Sequence, residues 1–127
     1  MNIEETKKYY DNIKREDLCQ CVYCQNLADE IKTAYPEVSD YLMTLGIDIE
    51  KPFEVFLPSE PAGGYMDYYG VQYLIAGDST GFIETKIGDI EIYITDCHPS
   101  ATYKGDYFVI QAGTFHIRAN TDKYDFE

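Results

Sequence analysis

The chain has no tryptophan, two histidines and only ten basic residues in 127. No apolar run approaches the roughly 18 residues that a membrane-spanning helix needs. Against its ten Lys and Arg stand 23 acidic residues, for a net charge of −13. That shortage of positive charge argues against nucleic acid as a partner, because affinity for it is built by neutralising phosphates. It argues equally against an anionic membrane surface. The N-terminal stretch Met1-Asn2-Ile3-Glu4-Glu5-Thr6-Lys7-Lys8 lacks the apolar core of a secretory signal. The expectation is a cytoplasmic protein, whose four cysteines are reduced thiols or metal ligands rather than a disulfide framework. Also missing are a phosphate-cradling glycine loop, a serine nucleophile elbow, an HExxH pair and a calcium-loop pattern. The balance leans away from an enzyme.

What is there is enough apolar material for a real core. Hydrophobic residues make up 45% and aromatic residues 15% of a chain whose length suits one domain over 1–127. The pattern divides it into a helical part, about 1–50, and a strand-rich part, about 53–119. Residues 3–15 are polar with scattered tyrosines and read as a short helix or an extended arm. From Val22, Leu27, Ala28, Ile31, Ala34 and Tyr35 recur at helical spacing. Pro36 ends that run, because the residue before a proline is pushed out of the α region, and it suits the first turn of the next helix. Val38, Tyr41, Leu42 and Leu45 face one way on this second helix, and Gly46 is placed to cap it with Ile47 packing back.

After Pro52 the period changes to two. Phe53, Val55 and Leu57 alternate before a Pro- and Gly-rich loop at 58–64. A long strand is expected over 65–76, with Gly70 as a bulge. Segments 82–87 and 90–95 flank Gly88-Asp89, the spacing of a tight hairpin. Segments 107–111 and 114–118 read as another. The fold class expected is α+β, with two helices packed on one face of an antiparallel sheet of five or six strands.

The chemistry concentrates in Cys19-Gln20-Cys21-Val22-Tyr23-Cys24, a C-x-C-x2-C cluster just before a helix. Thiolates this close in sequence can meet one tetrahedral cation, and Zn2+ is the usual occupant. Three ligands leave a fourth position, for which Cys97 is the first candidate and His98 or His116 the substitutes. Four cysteines would make a structural zinc joining the helices to the sheet; an open position would admit water and Lewis-acid chemistry. Two other readings of the cluster stay open. Cysteine packs as a small apolar residue. A thiol at a helix N-terminus can also be activated for redox work, although the βαβ setting of thiol oxidoreductases is missing.

Elsewhere, His116 sits opposite the apolar pair in Phe115-His116-Ile117 and reads as a solvent-facing strand residue. Adjacency of Cys97 and His98 on an extended chain works against a dyad between them. The 13 tyrosines suit half-buried sheet positions, with rings packed and hydroxyls wet. An acidic, aromatic surface would also suit a basic protein partner, as in toxin–immunity pairs by analogy.

The cluster, with the helical stretch after it, resembles an uncharacterised bacterial family. The residues that carry the likeness are Cys19, Cys21, Cys24 and Asn26, then Pro36, then Leu45-Gly46-Ile47-Asp48, covering about the first half of the chain. The resemblance implies that the three cysteines and Asn26 form a unit; it brings no activity. Three functions are compatible with the sequence: a non-catalytic binding or interaction module with a structural cysteine cluster, an immunity-type inhibitor of a basic protein, and a small metal- or thiol-dependent enzyme.

Overall fold

Asn2 starts the first helix, its side chain accepting the Glu5 amide at 3.0 Å, and α1 runs over Ile3–Asp11. Glu4 and Glu5 in its first turn and Lys8 in its last match the helix dipole. In this computed structural model, which describes residues 1–126, a single 3-10 turn at Arg15–Asp17 then leads into α2, Val22–Ala34. Tyr35 ends α2 and Pro36 opens α3, Pro36–Thr44. Gly46 closes α3 at φ +85°: its amide bonds Met43 O at 3.0 Å and the Ile47 amide bonds Leu42 O at 3.0 Å. A Cβ at Gly46 would lie 2.6 Å from the Ile3 carbonyl oxygen, so the turn and its packing on α1 both require glycine.

The strands are β1 Glu54–Val55, β2 Tyr65–Tyr68, β3 Val71–Ala76, β4 Thr85–Ile87, β5 Ile90–Thr95, β6 Tyr107–Gly113 and β7 Phe115–Arg118. Five make an antiparallel sheet in the order β1-β3-β6-β5-β4, while β2 and β7 pair as a separate two-stranded ribbon. The α+β class stands, with three helices where two were expected. The hairpin around Gly88-Asp89 forms as β4–β5, pairing Ile87 with Ile90.

Two expectations for the strands need correction. The run 65–76 is two strands rather than one with a bulge, and 107–118 is not a hairpin. Both run straight on and pair with each other: Tyr68 faces Phe115, and after the break Val71 faces Ala112 in the same antiparallel sense. The ladder is interrupted where backbones and rings crowd. A Cβ at Gly113 would lie 2.4 Å from the Tyr69 carbonyl oxygen, and one at Gly70 would lie 2.6 Å from Phe56 Cδ2. Gly113 also shortens the link to β7 to one residue, Thr114, which leaves no room for a reversal.

Alternation sorts the sheet into two faces. Val71, Tyr73 and Ile75 of β3, with Ile92, Ile110 and Ala112, join Tyr10, Leu27, Ile31 and Leu42 of the helices in one apolar cluster. The other face carries Gln72, opposite Gln111, and the fully buried Leu74, opposite Val109. The segment between β5 and β6 lies against it, with the Cys97 carbonyl accepting from Gln72 Nε2 at 2.8 Å. Among the described residues, no helix is long and apolar enough to cross a membrane.

The tyrosines divide in a way that propensity did not foresee. Tyr10, Tyr68 and Tyr73 are fully buried, and each hydroxyl donates to a backbone carbonyl: Leu74 O at 2.8 Å, Tyr23 O at 2.6 Å and Ile49 O at 2.8 Å. Each bond ties the helical half to the strands. A buried hydroxyl without such a partner would cost about 1–3 kcal/mol, so these rings fit only one register.

Candidate metal centre

The sequence places sulfur where helices usually place oxygen. Cys21 is the N-cap of α2, in extended backbone conformation, and its Sγ accepts the Cys24 amide at 3.5 Å. The preceding segment is held to the helix by side chains. Gln20 Nε2 donates to Arg15 O at 3.0 Å and Leu18 O at 2.9 Å, and Gln25 donates back to the Gln20 carbonyl. Arg15 donates to Gln25 O at 3.3 Å and to Asp29 Oδ1 at 2.5 Å. The loop that carries Cys19 is thereby folded back over the first turn of α2.

The result is a group of three sulfurs, from Cys19, Cys21 and Cys24, all within 4.8 Å of one another. Tetrahedral zinc with bonds of about 2.3 Å sets sulfurs roughly 3.8 Å apart, so a modest contraction suffices. Cys19 and Cys21 are exposed and Cys24 is half-buried. They line a cavity of about 230 Å³, which Arg15, Asp17, Phe53, Glu54 and Leu57 also border.

The three thiols are not equivalent. The Cys19 thiol is lowered, first by the Cys21 backbone amide and then by the Cys21 and Cys24 thiols; its slight burial and the nearby Glu54 charge oppose this. The Cys24 thiol is strongly raised, chiefly by burial and then by its two sulfur neighbours. Cys19 is thus the first to ionise of that pair. A cation placed among the sulfurs would favour the charged form of all three.

The fourth ligand expected from the sequence is not brought to them. The sulfur group does not include Cys97, which is exposed and whose segment is held on the far face of the sheet by Gln72. His98 stands beside Phe53 and Tyr107, with ring centroids 6.2 Å away in each case. His116 is further along, on β7, where its Nδ1 meets Asp67 Oδ1 at 2.8 Å and its ring stacks on Tyr65 at 4.5 Å. It is exposed, as the alternation of β7 predicts.

Asn26 is buried one turn into α2. Its Nδ2 donates to Arg118 O at 2.9 Å and its Oδ1 accepts the Asn120 amide at 2.9 Å, so it fastens α2 to the end of β7. One turn further on, Asp29 receives Arg15, Lys123 at 2.9 Å and the Tyr124 hydroxyl. Desolvation opposes its charge, but the bonds from Tyr124, Lys123 and Arg15 outweigh that and lower its carboxyl to about 2.

Asp17 neighbours the sulfurs in sequence as well as in space, but sequence reasoning missed Glu54, which lies thirty residues beyond Cys24 and gave no signal. No protein-family model, no curated protein and no solved structure matches the chain.

Proposed function

We propose that the protein is a small, non-catalytic binding module in which Cys19, Cys21 and Cys24 hold a zinc ion at the start of α2. The observation that carries this is the convergence of the three sulfurs within 4.8 Å of one another, on a loop fastened to the helix by polar side chains. Packing alone does not explain two exposed thiols in that group. A reducing cytoplasmic compartment belongs to the same reading, since only thiolates bind the metal. The partner it implies is a basic protein, because the net charge of −13 favours encounter with positive surfaces. Membership of the uncharacterised bacterial family is part of the proposal too; its support is that Asn26, grouped with the cysteines in that likeness, anchors the helix that carries them.

The test is zinc content. Protein prepared under reducing conditions without chelator is expected to carry one zinc per chain by elemental analysis. Chelator should release it and expose three additional reactive thiols. Four freely titrating thiols and no zinc after loading would overturn the reading. A disulfide among the three in freshly prepared protein would replace it with the redox one.

A further inference from the structure

We propose that the fourth donor to the metal is the carboxylate of Glu54, on edge strand β1, rather than Cys97. This deepens the zinc reading and rests on it. Three thiolates leave a tetrahedral ion one position short, and the wall of the sulfur cavity decides what can fill it. That wall offers two carboxylates, Asp17 and Glu54, and one guanidinium, Arg15.

Arg15 is a cation and cannot be a donor, and of the two carboxylates Glu54 is the one that reaches the cavity from a separate element. Asp17 Oδ2 accepts the Lys14 amide at 3.0 Å and closes the 3-10 turn, and Arg15 is engaged by Asp29 at 2.5 Å. The partner of Glu54 is local: its Oε1 accepts the amide of its own neighbour Val55 at 3.0 Å. Val55 is the last residue of a strand at the sheet edge, so that bond holds the carboxylate beside the rim. One oxygen is steadied there while the other is available to a cation. Glu54 is also near enough to Cys19 for its charge to act on that thiol.

Cys97 answers to different constraints. Its carbonyl is fixed by Gln72, and Cys97 does not line the sulfur cavity, whereas Glu54 does; neither side chain lies within the group of three sulfurs. A carboxylate donor to zinc sits at about 2.0–2.2 Å, and Glu54 is the carboxylate that borders the sulfur cavity from β1. The metal would then link the first turn of α2 to β1, a strand of two residues held by one neighbour.

Cobalt(II) is the probe, because its visible spectrum reports both the number of thiolates and the geometry. The full-length chain is titrated with Co2+, then with Zn2+ in competition, beside Glu54→Gln, Glu54→Cys and Cys97→Ser. Wild type and Cys97→Ser are expected to coincide in spectrum and in zinc affinity. Glu54→Gln should bind at least ten-fold more weakly, in line with the loss of a ligand or its support. Glu54→Cys should raise the thiolate-to-cobalt charge-transfer intensity by about one third, from three sulfurs to four. A fall in that intensity in Cys97→Ser, or unchanged affinity in Glu54→Gln with no added band in Glu54→Cys, overturns the assignment while leaving the three-sulfur site intact. Failure of wild type to bind either metal removes the zinc reading itself.

Discussion

Two adjacent turns of α2 have opposite characters. The first carries Cys21 and Cys24, joined across the turn by a sulfur–amide contact of 3.5 Å, on a rim open to solvent. The next carries Asn26 and Leu27, wholly buried, with both ends of the Asn26 amide bonded to backbone at and beyond the end of β7. The second turn is fixed by packing and hydrogen bonds and has nothing left to offer a ligand. The first keeps its donors unspent. A site that must bind an ion gains by resting on such an anchor, since the sulfurs are positioned without being consumed.

Substitutions should separate the two turns, beginning with the largest effect. Leu27→Ala is expected to lower the unfolding free energy by about 2–5 kcal/mol in urea, because a fully buried side chain leaves a cavity. Cys19→Ser tests the other turn. The wild-type chain should gain about 2.7 kcal/mol at free zinc 100-fold above its Kd. The variant should lose that gain while unfolding like metal-free wild type.

Asn26→Ala should cost about 2 kcal/mol with or without zinc, because it strands the Arg118 carbonyl and the Asn120 amide. If zinc restored that loss, the two turns would not be independent. Asp29→Asn should cost on the order of 1–2 kcal/mol at neutral pH, from weaker bonds to Arg15, Lys123 and Tyr124. Its folded carboxyl, at about 2, lies below the ordinary value of about 3.9. The stabilisation is therefore complete above about pH 4 and is lost as pH falls toward 2, and the variant should show a flatter acid limb in that window. Cys97→Ser, last, should change stability by no more than about 0.5 kcal/mol, as substitutions at exposed positions usually do.

Much of the helical half was legible because its signals are local. The 3.6-residue recurrence from Leu27 to Ala34, the break at Tyr35-Pro36 and the left-handed Gly46 each act within one or two turns of chain. The strands were legible as strands and less so as pairs. Nothing near Gln111 or Thr114 tells a hairpin from a straight continuation; the difference lies in the contact between Gly113 and the Tyr69 carbonyl, more than forty residues upstream. Tyr10, Tyr68 and Tyr73 looked like ordinary sheet or surface aromatics until carbonyls from distant segments met their hydroxyls. Likewise the three sulfurs were evident from their spacing, and the placement of Cys97 was not.

By itself, then, the sequence determined the α+β class, the caps and breaks of the helices, and the joint presence of Cys19, Cys21 and Cys24 at one helix start. These arise from backbone preferences and from spacing within a few residues. Tertiary structure alone decided that β2–β3 runs against β6–β7, that Cys97 is held on the other face by Gln72, and that Glu54 shares the sulfur cavity. Those outcomes depend on which distant backbones can pair and bury their polar groups together, and no stretch of chain encodes that alone.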